Sequence, residues 1–286
     1  MVGSRFCEMA EGKLNLTKTD LNGSIPLDIT DKKKVDDFFQ TQNFEHVILF
    51  SAFTDVDAAE RQRGDKSGSC WRINVEGTGN VAGAAAKFKK KLIILSTDFV
   101  FDGTAGPYRE EDSIGPDLGK VSWYGLTKIE SEKKVKATKD GIILRISYPY
   151  RAYFPLKEDF ARVVLRKYKE GNLYPMFSDQ TISPTFIDDI FWAIELLISK
   201  KHKGIFHLGS PALTTPFEFA KELVRTFEED PDKIKKGSLA AFLNIEGNTP
   251  RPLKGGMIVE KITKLGFKPT DYKTGIKNLF SQVRSH

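Results

Sequence analysis

Residues 91–103 read KLIILSTDFVFDG. A short continuous apolar run (Leu92–Leu95) gives way at once to hydroxyl and carboxylate side chains (Ser96, Thr97, Asp98). That change predicts a strand buried on both faces of a parallel sheet, with polar groups at its carboxyl end, where doubly wound sheets bind ligands. Working outward, His46–Ala52 (HVILFSA), Gly141–Ile146 (GIILRI) and Gly204–Leu208 (GIFHL) are strands of the same kind. Helical patterns fill Trp71–Phe88 and Ser122–Ala137 between them. Apolar strands alternating with helices and joined by right-handed crossovers give an α/β doubly wound parallel sheet of the Rossmann class.

The pattern changes after Ile146. Tyr148, Pro149, Tyr150, Tyr153, Phe154 and Pro155 make an aromatic, proline-rich stretch. Helices are then expected over 157–169, 187–199 and 274–283, with irregular chain between them. This shift divides the chain into a dinucleotide-binding domain, 1–147, and a smaller substrate domain, 148–286, with 187–209 returning to the first.

Composition narrows the function. The chain has 286 residues, 40% hydrophobic and 29% charged, which suits a globular protein able to bury a sizeable core. Cys7 and Cys70 form no CxxC, and His46, His202, His207 and His286 have no metal-ligand spacing, so no disulfide framework and no metal are expected. No apolar run reaches about 18 residues and no secretory signal is present, so the expectation is a cytoplasmic protein that does not enter a membrane. The net charge of +6 comes largely from clusters such as 87–91 and 200–203. These read as solvated surface with a mild attraction for an anionic diphosphate, rather than as a nucleic-acid site.

Tyr124 and Lys128 (YGLTK) stand four apart, on one face of the predicted helix. A lysine beside a tyrosine favours the phenolate and is expected to lower the tyrosine pKa, fitting the pair for proton transfer at a carbonyl or alcohol oxygen. Thr97 stands ready at the end of the apolar strand, and the polar loop Pro107–Pro116 (PYREEDSIGP) separates it from Tyr124.

Taken together, STDFVFDG, PYREED and YGLTK resemble the extended short-chain dehydrogenase/reductases, and among them the dTDP-4-dehydrorhamnose reductase family. That family includes a relative, the regulatory beta subunit of methionine adenosyltransferase. The resemblance covers nearly the whole chain. It implies that Tyr124 gives the proton to a sugar ketone, that Lys128 holds the nicotinamide ribose, and that Thr97 orients the substrate oxygen. Leu27–Asp31 (LDITD) resembles the segment under the adenine, with Asp28 and Ile29 as contacts. Ala52–Glu60 resembles the strand end and loop beside the cofactor, with Ser51, Ala52 and Phe53 as the nearest residues. NVEGTGN (74–80) resembles the helix that follows. SPTFI (183–187) and Arg251-Pro252 resemble the substrate half.

Asp98, Phe99, Tyr148 and Arg251 are implied to line the sugar-nucleotide site. Phe99 stands where family members often carry Tyr, which removes one hydroxyl. It also stands where the resembling 4,6-dehydratases carry a glutamate base, which argues against a dehydratase. The implied reaction is NAD(P)H-dependent reduction of a 4-keto sugar nucleotide, most directly dTDP-4-dehydrorhamnose to dTDP-rhamnose. The alternatives are an epimerase of the same superfamily or a non-catalytic NAD(P)-binding regulatory subunit. A homodimer is compatible with this reading.

The chain opens MVGSRFCEMAEGK. Family members open with a strand and a GxxGxxG loop, so Gly3 is read as the third glycine of that loop and Ser4–Glu11 as its helix. The first strand and most of the glycine loop are then missing. Asp20 follows the alternating run Leu14–Thr19, which is expected to be the second strand. An acid at that strand's end takes ribose hydroxyls and repels a 2′-phosphate, favouring NADH over NADPH.

Overall fold

The computed structural model describes residues 1–115 and 117–285; Pro116 and His286, both met above, lie outside the described residues. The described strands form two sheets. β1 (His46–Leu49), β2 (Lys91–Thr97), β3 (Ile142–Ile146) and β5 (Gly204–Leu208) make one, and β4 (Met176–Phe177) and β6 (Lys236–Gly237) make the other. The larger sheet has the order β1-β2-β3-β5 and is parallel throughout, with Leu49 opposite Ile94, Thr97 opposite Ile146, and Ile146 opposite Leu208. All its carboxyl ends therefore lie along one edge, which is the doubly wound α/β arrangement that the apolar runs predict.

Both faces of the sheet are covered. Ile93 and Leu144 pack on one side with Phe6, Ile190, Phe191 and Ile194. Their neighbours Ile94 and Ile143 face the other side, with Val35, Phe39, Val81 and Ala85. This alternation is why the strands read as unbroken apolar runs. Each fully buried Ile or Leu contributes roughly 1.5–3 kcal/mol, so the sheet is a rigid platform for its carboxyl edge.

A separate core forms beyond Ile146. Helices Phe160–Lys169, Pro216–Thr226 and Tyr272–Arg284 close around Tyr150, Phe186, Phe219, Leu223 and Ile276. The helix at 216–226 lies in the stretch expected to be irregular. Its start signal is present in the sequence: Thr215 caps the Glu218 N–H at 3.1 Å, with Pro216 in the first turn.

The first 45 residues differ most from expectation. The first helix spans Val2–Ala10 and contains Gly3. A Cβ on Gly3 would come within 3.2 Å of the Phe50 ring, so the glycine permits a close approach of helix to strand end. Leu14–Thr19 forms no strand. No described strand pairs with it, and an extended segment without a pairing partner has no ladder for its backbone hydrogen bonds. No described helix is long and apolar enough to cross a membrane.

Candidate active site

The register of the sheet brings the predicted groups together. Thr97 ends β2, Ser147 and Tyr148 follow β3, and Ser51–Phe53 follow β1 on the same edge. The helix Trp123–Lys136 lies across this edge and starts from a Ser122 cap on the Gly125 N–H at 3.1 Å. Its second residue is Tyr124. Gly125 must be glycine, because a Cβ there would collide with the Phe99 carbonyl of the loop leaving β2. That close approach seats Tyr124 beside Thr97, whose hydroxyl acts to lower the Tyr124 phenol's pKa.

The cluster is shielded from water. Thr97, Asp98, Phe99, Tyr124 and Lys128 are all buried. Thr97 Oγ1 accepts the Phe99 N–H and donates to Asp98 Oδ1, both at 3.2 Å. Ser147 Oγ donates to Asp98 Oδ2 at 2.7 Å, joining the ends of β2 and β3. Burial pushes the Asp98 carboxyl up to about 6, against the pull of the Ser147 and Thr97 hydroxyls.

The electrostatics of the Tyr124–Lys128 pair correct the sequence reading. Burial raises the Tyr124 phenol well above its ordinary value, with the Thr97 hydroxyl opposing and the Asp98 charge adding to the rise. Burial also lowers Lys128 to about 8. Desolvation therefore sets the state of the phenol, and Lys128 is not among the groups that shift it. Lys128 Nζ donates to the Leu95 carbonyl at 2.7 Å, one of the three N–H groups an ammonium carries.

Around this centre the other expected residues take different positions. The Phe99 ring meets Tyr124 edge to face, with centroids 6.0 Å apart. Tyr148 has φ of 42°, in the left-handed region, a strained conformation for a bulky residue. Its ring meets Phe160 at 5.1 Å, its hydroxyl reaches Gln180 Oε1 at 3.4 Å, and burial pushes its phenol up to about 12 against the opposing charge of Arg251. Arg251 is paired with Asp57 at 2.7 Å, so the substrate half meets the short helix Val56–Glu60 that follows β1.

Asp28 is half-buried and binds the Thr30 N–H and hydroxyl at 2.9 and 2.8 Å. Ile29 packs against Gly77, and its carbonyl accepts from Asn80 at 3.0 Å. Asp20 is not brought to the end of a strand. It is exposed at the neck of a turn, its N–H and carbonyl bonded to Ile25 and Leu27. Leu14–Thr19 being irregular, nothing carries its carboxylate to the sheet edge.

Asn74 escaped the sequence reading. It is buried within a π-helical turn, 72–77. Its Oδ1 accepts the Phe53 N–H at 2.8 Å, and its Nδ2 donates to the Phe53 carbonyl and to Thr127 Oγ1 at 3.1 and 2.9 Å. It thereby fastens the end of β1 to the Tyr124 helix. The only signal was one amide in a stretch rich in small and apolar residues.

The residues present fit the nicotinamide half of a dinucleotide. A buried ammonium with donors remaining faces the same strand ends as a hydroxyl pair able to hold a carbonyl oxygen.

Comparisons with known proteins bear on the same point. A family model described as "RmlD substrate binding domain" matches residues 2–285. The dTDP-4-dehydrorhamnose reductase of Mycolicibacterium smegmatis is 31% identical over 243 residues, 82% of this chain and 69% of that protein. The methionine adenosyltransferase 2 subunit beta of Pongo abelii is 30% identical over 241 residues, 81% and 69% of the two chains. A crystal structure of dTDP-4-dehydrorhamnose reductase from Bacillus anthracis in complex with NADP superposes with a TM-score of 0.84 at 26% identity, covering 98% of this chain and 94% of that one.

Proposed function

The chain belongs to the RmlD substrate binding domain family, and from that premise we propose that it reduces a 4-keto sugar nucleotide, dTDP-4-dehydrorhamnose to dTDP-rhamnose. It is a nicotinamide-dependent oxidoreductase. The observation that carries the proposal is the convergence of Thr97, Tyr124 and Lys128 at the end of β2, out of water.

A reduced nicotinamide, when bound, supplies the hydride to the ketone carbon. As the carbonyl π bond breaks, the Tyr124 hydroxyl gives its proton to the oxygen. Burial suits Tyr124 to this task, because it holds the phenol protonated until charge develops on the substrate oxygen. Thr97 hydrogen-bonds that oxygen and fixes its approach. Lys128 holds the cofactor's ribose with the donors left free by Leu95. Asp98, Phe99, Tyr148 and Arg251 line the sugar nucleotide, and the Arg251 cation suits its diphosphate once separated from Asp57.

On the cofactor side, Gly3, Asp28, Ile29, Ser51, Ala52 and Phe53 are the contacts. Either NADH or NADPH is compatible with them. Asp20 is the acid proposed to favour NADH, acting as an exposed charge that repels a 2′-phosphate.

The test is consumption of NADH or NADPH by the purified protein with dTDP-4-dehydrorhamnose as substrate, with dTDP-rhamnose as the product expected. A second reading, a regulatory nucleotide-binding subunit, draws on the resemblance to methionine adenosyltransferase 2 subunit beta. Cofactor binding without turnover of any 4-keto sugar nucleotide would favour it.

A further inference from the structure

Beneath the Thr97–Tyr124–Lys128 cluster lies an ion pair that is fully buried. Glu132 and Arg145 are both 0% exposed. Arg145 donates Nε and Nη2 to the two Glu132 oxygens at 2.8 and 2.7 Å, and Ser96 Oγ donates to Glu132 Oε1 at 2.6 Å. A buried pair is a poor source of stability, because desolvation offsets much of its attraction.

Its location has more to say. Glu132 stands one helical turn beyond Lys128, as Lys128 stands one turn beyond Tyr124. Ser96 sits between Leu95, whose carbonyl receives the Lys128 ammonium, and Thr97, whose hydroxyl meets Tyr124. Glu132 thus joins the strand segment and the helix face on which all three groups depend.

We propose that Glu132 is a positioning residue for the reduction: its carboxylate, fixed by Arg145 and Ser96, keeps Lys128 cationic and seated on the Leu95 carbonyl. The inference rests on the reductase reading for its catalytic consequence.

The charges around Lys128 agree with this. Burial pulls Lys128 down and Glu132 is the charge that most opposes that fall; Cys70 on the Ser69–Trp71 turn, its thiol pushed up by burial, is neutral where Lys128 titrates. Tyr124 shares the helix, and Asp98 stands beyond Thr97 on the loop leaving β2. Arg145 enters from β3 but is spent on Glu132, with His207 of β5 behind it at 3.3 Å. Lys136 approaches Glu132 from the solvent side at 4.0 Å.

The test is Glu132→Gln, which keeps the shape and removes the charge. The Lys128 titration is followed by NMR of carbon-labelled lysine, alongside the pH profile of kcat/KM. The Lys128 pKa should fall by about one unit or more. The alkaline limb of kcat/KM should move with it, so that activity drops by about fivefold near pH 8, approaching about tenfold at higher pH, and by less in mild acid. Should the unpaired Arg145 prevent folding, Glu132→Gln combined with Arg145→Met removes both charges, and a smaller downward shift is expected, because loss of the Arg145 cation offsets part of the loss of the carboxylate. An unmoved Lys128 titration and pH profile, with only a lower Tm, would overturn the proposal and leave Glu132 a structural residue. A wild-type protein inert towards 4-keto sugar nucleotides would overturn the reductase reading instead, while the NMR titration would still decide whether Glu132 holds the charge on Lys128.

Discussion

The carboxyl edge of the sheet and the first 45 residues are built in opposite ways. At the sheet edge, Thr97, Asp98, Ser147, Tyr124 and Lys128 are buried and hydrogen-bonded to one another or to the strands that carry them. In the early segment, residues 17–26 are exposed and Leu14–Thr19 has no ladder, while the first helix buries Phe6 and Ala10 against the sheet and is fastened by side-chain pairs. Arg5 binds Asp188 at 2.6 and 2.8 Å, and Arg151 binds Met1, Ser4 and Glu8. Groups that must hold a reacting atom are fixed by packing, whereas Asp20 and the chain around it are exposed and joined by two backbone hydrogen bonds. Changes at the edge should therefore alter chemistry, and changes in the early segment should alter affinity and local stability.

The sharpest break of this contrast is Tyr124→Phe. It should lower kcat by about 10²–10⁴-fold and leave the cofactor Kd nearly unchanged. A variant that keeps more than half of the wild-type rate would remove Tyr124 from the mechanism.

Asp98 provides a pH signature of the same region. Its folded-state pKa of about 6 lies above the ordinary 3.8, so the native state binds the extra proton between those values and loses stability as pH rises through them. The loss relative to Asp98→Asn should be about 2 kcal/mol between pH 4 and 6, an upper figure because hydrogen bonds in the variant also change. Chemical denaturation of both proteins across that range measures it, and parallel curves would contradict the burial argument. His207 changes in the opposite sense, held at about 3 by burial and by Arg145, but it is common to both proteins and cancels in the comparison.

In the early segment the effects should be smaller. Arg5→Ala removes a partly exposed pair and should cost about 1 kcal/mol, or about 2–4 °C in Tm, with kcat at saturating cofactor unchanged. A large fall in kcat would mean that the first helix reaches the reacting groups after all. Smallest of all, Asp20→Ala should narrow any preference for NADH over NADPH by a few-fold at most, as expected of one exposed charge. Equal ratios in titrations of both cofactors would leave Asp20 a turn residue.

What could be read from the sequence follows the same divide. Four strands were visible because burial on both faces writes an unbroken apolar run, and the Tyr124–Lys128 face because helical spacing is fixed. The Glu132–Arg145 pair was hidden, since charged residues in a lysine-rich helix ordinarily read as surface. Asn74 joins Phe53 to Thr127 across long sequence separations and interrupts the 3.6-residue period with a π-helical turn, so no local pattern marks it. The alternation in Leu14–Thr19 misled because period two states only that a strand could form. Whether it forms depends on a neighbouring edge, which is a property of the tertiary structure. The Tyr124 pKa was misjudged for a related reason: the spacing to Lys128 is local, but the desolvation that dominates it comes from the whole fold.

The most direct test of the central claim follows the hydride itself. With cofactor carrying deuterium at the transferable nicotinamide position and dTDP-4-dehydrorhamnose as substrate, the product should carry one deuterium at C4 of the sugar for each cofactor oxidised. Mass spectrometry and proton NMR of the product read this without ambiguity. Cofactor that binds but is not consumed, or is consumed without label reaching C4, would contradict the account.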